Sequence, residues 1–280
     1  MLVKKSFAKI NLYLEILGKN PNGYHFINSL MAMIDIYDEI IIEKSDSLSL
    51  EIKGQNTNIL QEEWQKNIII KSVNLLASKY HFTPNIKITL TKNIPIGGGL
   101  GGGSSNAATI ILALNQLYNL NLSKKELLDL GFKIGADVPF FLNEETSFVS
   151  GFGEILEPAN LDSKNLFLLI INPNKHLSTK DVFESLDLKK IKNSPSQNIT
   201  TIDSIKKHGN DLETPAIKIV PEIELILKEM GKQENCLISR MSGSGASCFG
   251  IFDNENDQNL SFENLQKYFP NLYIQKTRFL

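Results

Sequence analysis

The sequence has few cysteines, little net charge and no long apolar run, and each of these absences excludes a class of protein. Only Cys236 and Cys248 are present among 280 residues, so a disulfide framework is not expected. The formal net charge of −2 gives no support to a general nucleic-acid interface, which needs a basic surface. No apolar stretch is long enough to span a membrane, and residues 1–9 lack the apolar core of a signal peptide. We therefore expect a cytoplasmic protein with no nucleic-acid or membrane partner.

What remains is a composition typical of a globular protein, with 42% hydrophobic and 21% charged residues. A chain of 280 residues is long enough for two modest domains that share a sizeable core. The pattern of strands and helices restarts after the glycines at positions 151 and 153. We therefore predict an α+β protein with an N-terminal domain over residues 1–155 and a C-terminal domain over residues 156–280.

Periodicity predicts the individual elements of both domains. In the first half, strands are expected over residues 3–17, 30–44 and 85–91, and helices over 67–80, from Ala107 to Tyr118, and from Ser123, where Glu126 completes a capping box. In the second half, strands are expected over residues 166–171 and 248–252, and helices around 178–185, 211–218 and 221–230.

A glycine run lies between the strand at 85–91 and the helix that follows it. Six of the seven residues from Gly97 to Gly103 are glycine, in a chain with 18 glycines. A backbone without β-carbons can turn several N–H groups toward one point, where an anion is bound. Ser104 and Ser105 stand where helix-capping residues belong, and a helix N-terminus favours negative charge. The strand, loop and helix therefore predict a phosphate site, and the phosphate suggests a nucleotide.

Other interpretations of the glycine run fit less well. A flexible linker is not usually flanked by a strand and a strongly patterned helix. Gly97, Gly99 and Gly102 satisfy the dinucleotide pattern, but no acidic residue closes a second strand about twenty residues later. The common P-loop ends in Gly-Lys-Ser/Thr, whereas here the glycines lead directly into Ser104 with no lysine. The protein must hold its phosphates differently.

Two charged residues in apolar surroundings are candidates for chemistry. Lys9 and Asn11 point to the same side of a predicted strand, although a lysine there can also extend from a strand edge into solvent. Asp137 lies within Gly135-Ala136-Asp137-Val138-Pro139, where an acid is costly unless it is paired or used. A helix cap, a structural partner and a catalytic base are all open for Asp137.

Two further motifs leave alternatives open as well. Tyr24, His25 and Phe26 place rings beside a turn, where packing is a commoner role than ligand stacking. Gly243-Ser244-Gly245 precedes the apolar run 248–252 and forms either a plain turn or a second backbone cradle.

Together these segments resemble the superfamily of galactokinase, homoserine kinase, mevalonate kinase and phosphomevalonate kinase, the GHMP kinases. The resemblance runs nearly end to end and is carried by Ala8-Lys9-Ile10-Asn11-Leu12, Gly23-Tyr24-His25, Pro95 to Ala108, Gly135 to Pro139, and Gly243 to Ala246. It implies an N-terminal domain like the second domain of ribosomal protein S5 and a ferredoxin-like C-terminal domain. It also implies an active site in the cleft between the two domains.

The resemblance further implies transfer of a phosphoryl group from ATP, with Mg²⁺, to a small molecule. The lysine segment and Gly23-Tyr24-His25 favour 4-diphosphocytidyl-2-C-methyl-D-erythritol as the substrate, phosphorylated on its 2-hydroxyl in the non-mevalonate route to isoprenoids. In these enzymes the residue that matches Asp137 accepts the hydroxyl proton, and the residue that matches Lys9 lies beside it.

The resemblance assigns the binding residues position by position. For the nucleotide these are Pro95, Gly97, Gly98, Gly99, Leu100, Gly101, Gly102, Gly103, Ser104, Ser105, Asn67 and Lys92. For the substrate they are Asn11, Tyr24, His25, Phe183, Gly243, Ser244 and Gly245, with Tyr24 and Phe183 on the two faces of the cytosine. The protein ligands of Mg²⁺ stay unknown, although Ser104 or Ser105 could assist.

Two other functions are compatible with part of the pattern. Another small-molecule kinase of the superfamily, such as a homoserine or mevalonate kinase, would share the lysine, loop and aspartate but not the cytosine pocket. A nucleotide-binding regulator without catalysis would not need both Lys9 and Asp137, so the presence of the pair argues against it.

Overall fold

The computed structural model describes residues 1–21, 23–54, 61–187 and 199–280, which form two compact units. The first unit takes residues 1–8, 36–94 and 101–144, and the second takes 9–35, 95–100 and 145–280. Both units are thus built from separate stretches of chain, unlike the continuous domains predicted above. The boundary between residues 155 and 156 stays a prediction.

The first unit is built on strands covered by helices. Its strands are the first part of β1 (Leu2–Lys19), the second part of β2 (His25–Lys44), and the whole of β3 (Ser49–Gly54) and β4 (Ile86–Lys92). Its helices are α1 (Ile68–Tyr80), α2 (Gly102–Leu117), α3 (Lys124–Ile134) and α4 (Val138–Asn143). β4 pairs antiparallel with β2, from Glu39↔Thr91 to Lys44↔Ile86, and parallel with β3 on its other edge. Strand β4 therefore delivers the chain from the middle of this sheet to the glycine run.

Local sequence explains how the helices of this unit begin and pack. Helix α3 starts at the predicted capping box, in which Ser123 and Glu126 each bond the other's backbone N–H. Helix α2 buries Ile110, Ile111 and Leu114 on one face, as its periodicity predicts. Leu117, predicted on the same face, is 38% exposed because the helix ends there.

The second unit contains two sets of paired strands. The first half of β2 pairs antiparallel with β5 (Ser147–Gly151), which pairs with β6 (Ile155–Pro158). A separate antiparallel sheet has the order β10-β7-β9-β8, made of β7 (Phe167–Asn172), β8 (Ile238–Met241), β9 (Cys248–Phe252) and β10 (Tyr273–Arg278). This order, with helices after the first and third strands, is the ferredoxin-like arrangement, so that expectation is confirmed.

The helices of the second unit bury apolar side chains against the ferredoxin-like sheet. They are α5 (Thr179–Glu184), α6 (Ile202–Lys206), α7 (Glu213–Ile219), α8 (Glu222–Gly231) and α9 (Glu255–Tyr268). Ile223, Ile226 and Met230 of α8 join Leu169 and Phe252 in one buried cluster. Leu177 in the loop after β7 and Ala246 in the loop after β8 belong to the same cluster, which holds both loops in place. The loop after β8 contains the predicted site residues Gly243, Ser244 and Gly245.

Two findings bear on the exclusions drawn from composition. Cys236 and Cys248 are both free thiols, and burial raises the pKa of Cys236 to about 11. Within the described ranges, no helix has the length and apolar character needed to cross a bilayer.

Candidate active site

The glycine run adopts the backbone conformation that its composition predicts. Gly97, Gly99 and Gly101 have φ values of 63°, 73° and 69°, while Gly98 and Gly102 between and after them do not have positive φ. Such alternation turns successive N–H groups to one side and forms a concavity that suits an anion. Only glycine adopts the left-handed values without steric cost, which explains why the run is so rich in glycine.

The start of helix α2 differs from the prediction. Gly101 is the N-cap and makes no side-chain capping bond, so the assignment of Ser104 and Ser105 as caps is wrong. Both serines lie inside the first turns of the helix, because the left-handed Gly101 reverses the chain earlier than expected. The hydroxyl of Ser105 is buried and accepts a hydrogen bond from Ser6 Oγ at 2.8 Å. Ser104 is the more exposed of the two serines.

Within the second unit, the first part of the glycine run packs directly on the turn that contains Gly243-Ser244-Gly245. Ser242 Oγ donates to the carbonyl of Gly99 at 3.0 Å, and the N–H of Ser247 donates to the carbonyl of Gly98 at 3.0 Å. A β-carbon on Gly99 would overlap the carbonyl oxygen of Ser242. The turn is therefore part of a tightly packed pair of glycine segments, more than a plain connection between strands.

Lys9 and Asn11 lie buried beside the same turn. Lys9 is only 3% exposed and donates from Nζ to Asn11 Oδ1 at 2.6 Å, so extension from a strand edge into solvent is excluded. The Asn11 amide nitrogen donates in turn to Ser29 Oγ at 2.9 Å. A β-carbon on Gly243 would lie 3.2 Å from Lys9 Nζ and 3.3 Å from Asn11 Oδ1. Gly243 thus allows the turn to close over the lysine.

The aromatic candidates of the second unit take part in one ring pair and one group of three rings. His25 lies against Phe183 with ring centroids 4.8 Å apart and an interplanar angle of 32°. Tyr24, 67% exposed, meets Phe152 edge-on at 6.0 Å, and Phe26 stacks on the same Phe152 at 4.5 Å. A purely packing role does not suit Tyr24, because two thirds of its surface remains accessible.

The electrostatics of His25 favour the neutral imidazole. Burial, assisted by the positive charge of Lys19, lowers the pKa of His25 below its ordinary value. Its Nε2 is buried and has no hydrogen-bond partner among the described residues. A buried polar atom without a partner calls for an explanation, and a ligand atom would supply one.

In the first unit, the segment that carries Asp137 comes close to the start of helix α2 at Gly135. Asp137 is the N-cap residue of α4 but its side chain makes no capping hydrogen bond, which disfavours the cap interpretation. A β-carbon on Gly135 would lie 4.0 Å from Ser104 Oγ. The segment that carries the carboxylate therefore runs past the first turn of the helix.

The predicted nucleotide residues Asn67 and Lys92 lie near the same helix start. Asn67 caps α1 by accepting from the N–H of Ile69 at 3.0 Å, and Ile68 lies 3.9 Å from a β-carbon built on Gly103. Lys92 Nζ lies 3.2 Å from a β-carbon built on Gly102 and pairs with the buried Asp38. The first unit thus brings these residues together with the positive end of α2.

Comparisons with known proteins agree with this arrangement. The model for the N-terminal domain of GHMP kinases matches residues 67–145, and the model for their C-terminal domain matches residues 192–271. A 4-diphosphocytidyl-2-C-methyl-D-erythritol kinase of Alkaliphilus oremlandii is 40% identical, covering 98% of this chain and 95% of that relative. The chain belongs to the GHMP kinase family. A second relative with the name 4-diphosphocytidyl-2-C-methyl-D-erythritol kinase, from Clostridioides difficile, is 36% identical over 96% of this chain and 93% of the relative.

Solved GHMP kinases share the fold. A crystal structure of a 4-(cytidine 5'-diphospho)-2C-methyl-D-erythritol kinase superposes with a TM-score of 0.80 at 26% identity, covering 99% of both chains. A homoserine kinase from Cytophaga hutchinsonii superposes with a TM-score of 0.71 at 17% identity, over 97% of this chain and 94% of that one. At 17% identity, the homoserine kinase shows only that the fold is shared. The 4-(cytidine 5'-diphospho)-2C-methyl-D-erythritol kinase, at 26% identity, is similar in sequence as well.

Sequence reasoning missed a residue that holds the second glycine turn of this GHMP kinase. The buried Asn210 donates from Nδ2 to the carbonyls of Met241 at 2.9 Å and Gly243 at 2.7 Å. Three residues on, Glu213 accepts from the N–H of Met241 at 3.0 Å, and burial raises the pKa of its carboxyl. The polar run Asn-Asp-Leu-Glu at 210–213 was the available signal.

Phe152 is a second residue that the sequence did not single out. It contacts both Tyr24 and Phe26, so it supports the ring that is predicted to cover the cytosine. Phe152 lies in a turn between two glycines, and the sequence Gly151-Phe152-Gly153 was the available signal.

The oxygen atoms near the start of α2 suit a magnesium ion that is held mainly by phosphate. Among the described residues, no group of three or more His, Cys, Asp or Glu could hold a metal alone. Mg²⁺ commonly keeps several waters and takes only one or two protein oxygens beside phosphate oxygens. Ser104 fits this need better than Ser105, whose hydroxyl is buried against Ser6.

Proposed function

We propose that this GHMP kinase transfers the γ-phosphoryl group of ATP to the 2-hydroxyl of 4-diphosphocytidyl-2-C-methyl-D-erythritol, giving ADP and the 2-phosphate. The observation that carries the proposal is the near full-length identity of 40% and 36% to two kinases named for this substrate. The homoserine kinase at 17% identity supports only the shared fold. A cytoplasmic location fits the two free cysteines and belongs to the same proposal.

Asp137 is the proposed catalytic base. A carboxylate within hydrogen-bond reach of the acceptor hydroxyl orients the oxygen and takes its proton as the new bond to phosphorus forms. We assign this role to Asp137 because it stands at the position that matches the base of the GHMP kinases, in the segment from Gly135 to Pro139. A correctly placed carboxylate is sufficient for this role, since positioning and electrostatics supply most of the acceleration in phosphoryl transfer.

Lys9 is the proposed electrostatic partner of the transferring group. Its ammonium is buried and held by Asn11 Oδ1, so its direction is fixed before the substrate binds. A fixed positive charge offsets negative charge that develops on the oxygens during transfer, without reorganisation. That Lys9 lies beside Asp137 in the working enzyme stays a prediction from the family resemblance.

The glycine run and the first turn of α2 are the proposed phosphate site. The positive φ values of Gly97, Gly99 and Gly101 are typical of loops that bind an anion through backbone N–H groups, and a helix N-terminus favours negative charge. Mg²⁺, when bound, would neutralise charge on the phosphate oxygens. Ser104 is the protein residue placed to assist, with its hydroxyl in the first turn.

The ring cluster of the second unit is the proposed cytosine site. Tyr24 offers an exposed face that is braced by Phe152, and Phe183 lies against His25. The unpartnered Nε2 of His25 would bond the polar edge of the pyrimidine. A base without matching polar groups would leave this nitrogen buried and unpaired, which gives selectivity.

A coupled assay of ADP release tests the function directly. With Mg²⁺ and ATP, turnover is expected on the cytidylyl substrate and not on homoserine or mevalonate. Turnover on either of those and not on the cytidylyl compound would replace the proposed substrate. ATP binding with no turnover on any acceptor would favour a non-catalytic regulator.

The Asp137→Ala variant tests the assignment of the base. We expect loss of turnover by a factor of about 10² or more, since general base catalysis contributes that much, with binding of an ATP analogue largely retained. The measurements are the coupled assay and calorimetric titration of the analogue. Near-normal turnover in this variant would show that another group takes the proton.

A further inference from the structure

A carboxylate that the proposed mechanism does not use is buried at the end of the strand pair formed by β2 and β4. The antiparallel ladder between β2 and β4 ends at Glu39↔Thr91, so the backbone after Thr91 no longer pairs with the backbone of β2. Asp38, next along β2 and 0% exposed, lies at this point. A buried charge is costly unless it is paired and hydrogen-bonded, so its partners are informative.

Three donors from three successive residues satisfy Asp38. Its Oδ1 accepts the N–H groups of Asn93 at 2.8 Å and Ile94 at 2.9 Å. Its Oδ2 pairs with the ammonium of Lys92, whose side chain is only 7% exposed. The carboxylate thus takes over from the ladder with β2 where that ladder ends, and it fixes the whole of the segment 92–94.

The fixed segment leads into the proposed phosphate site and packs against its helix. A β-carbon on Gly102, the first residue of α2, would lie 3.2 Å from Lys92 Nζ and 3.0 Å from Ile94 Cγ2. An unpaired ammonium at the positive end of a helix would be repelled. The charge of Asp38 offsets this repulsion and keeps Lys92 in place beside the helix start.

We propose that Asp38 is a positioning residue for nucleotide binding. It acts through Lys92 and through the backbone of Asn93 and Ile94, which together hold the entrance of the glycine run and the first residue of α2. The ligand that benefits is a nucleoside triphosphate, whose phosphates need N–H groups held in advance. The inference rests on the proposed function only for the identity of that ligand.

The Asp38→Asn variant separates the charge from the backbone bonds. An asparagine oxygen still accepts from Asn93 and Ile94, whereas the ionic attraction for Lys92 is lost. We expect the Kd of a non-hydrolysable ATP analogue and the KM for ATP to rise about 10-fold, in line with loss of a charge-assisted bond. The KM for the cytidylyl substrate is expected to stay within about twofold, because that ligand does not depend on Lys92.

Glu51→Gln is the matched control. Glu51 of β3 pairs with Lys87 of β4 at 2.9 Å and with Lys53 at 3.3 Å, on the exposed side of the same sheet. The same chemical change there is expected to leave analogue binding unchanged. If Asp38→Asn lowered the unfolding temperature but left the Kd of the analogue unchanged, Asp38 would be purely structural and the proposal would be overturned.

A double-variant cycle with Lys92→Met tests whether Asp38 acts through Lys92. The double variant is expected to bind the analogue no more weakly than the weaker single variant, whereas additive losses would contradict the linkage. If Asp38→Asn does not fold, Lys92→Arg and Lys92→Met answer the question. The Lys92→Arg variant keeps a cation opposite Asp38, so it should bind the ATP analogue more tightly than the Lys92→Met variant does. Equal Kd values of the two variants for the analogue would overturn the proposal.

The binding measurement uses the full chain and no acceptor substrate. A wild-type protein that binds the analogue yet fails to phosphorylate the cytidylyl compound would remove the proposed substrate alone. The comparison of Asp38→Asn with Glu51→Gln would still decide the role of Asp38.

Discussion

Single residues at the site are held by neighbours that are distant in sequence. The shared face of Lys9 and Asn11 follows from strand alternation and was predictable. That Gly243 closes over the lysine, and that Asn210 holds Gly243 through its carbonyl, depends on pairing between remote segments. Local patterns carry no information about such pairing, so these contacts could not be read from the sequence.

Tyr24→Ala tests the stacking role at the residue scale. We expect weaker binding of the cytidylyl substrate by about 1–3 kcal/mol, as for other bases stacked on aromatic side chains, with ATP affinity unchanged. Tyr268→Ala is the control, since Tyr268 is 56% exposed and also meets a phenylalanine ring edge-on. The measurement is substrate titration by calorimetry, and an unchanged affinity would remove Tyr24 from the pocket.

The lowered pKa of His25 predicts how substrate binding depends on pH. Because the pKa is lowered, His25 is mostly neutral at pH 7 and becomes half protonated only at a pH below the ordinary value near 6.5. Protonation removes the acceptor on the imidazole, so the KM for the cytidylyl substrate should rise in that range. A His25→Asn variant should have a higher but flatter KM profile between about pH 5 and pH 8. A parallel profile in the two proteins would contradict the assignment.

The same shift has a consequence for stability with a definite sign. Below pH 6.5 the unfolded chain binds the proton at His25 more readily than the folded chain does. Stability therefore falls as pH drops through this window and is regained as pH rises. The His25→Asn substitution removes this titrating group, so the free energy of unfolding measured in urea should depend less on pH below about 6.5.

At the scale of elements, patterns that are local in sequence were predictable. The capping box at Ser123 and the strand from Cys248 to Phe252 both lie where the sequence placed them. Helix α9 was not predicted, because it buries only Gln258, Ser261 and Leu265 and so has a weak apolar period. The start of α2 was misplaced since a left-handed Gly101 took the role expected of a serine.

The packing of the two glycine segments predicts the outcome of adding one methyl group. Gly99→Ala should reduce turnover strongly and lower the free energy of unfolding by about 1–3 kcal/mol, because the new carbon overlaps Ser242 and φ is 73°. Gly209→Ala is the control, as a β-carbon there meets nothing within 4 Å. Urea unfolding and the coupled assay measure both effects, and equal behaviour of the two variants would contradict the packing described here.

At the scale of the whole molecule, the prediction of two domains and of a GHMP kinase fold is confirmed. The compact units are nevertheless assembled from interleaved stretches, since β1 and β2 each supply residues to both units. The glycines at positions 151 and 153 mark only the place where the sequence pattern of strands and helices restarts. Compactness depends on which strands pair, so the sequence could not delimit these units.

Nucleotide binding gives a prediction for the stability of the whole chain. A ligand that binds only the folded state stabilises it by RT ln(1 + [L]/Kd), or about 2.7 kcal/mol at a hundredfold excess over Kd. We expect a non-hydrolysable ATP analogue with Mg²⁺ to raise the free energy of unfolding by this amount in urea titrations. Asp137→Ala should be stabilised equally, because its role is in proton transfer, whereas Asp38→Asn should need about tenfold more analogue for the same gain. Equal gains for all three proteins at a limiting analogue concentration would separate Asp38 from the nucleotide site.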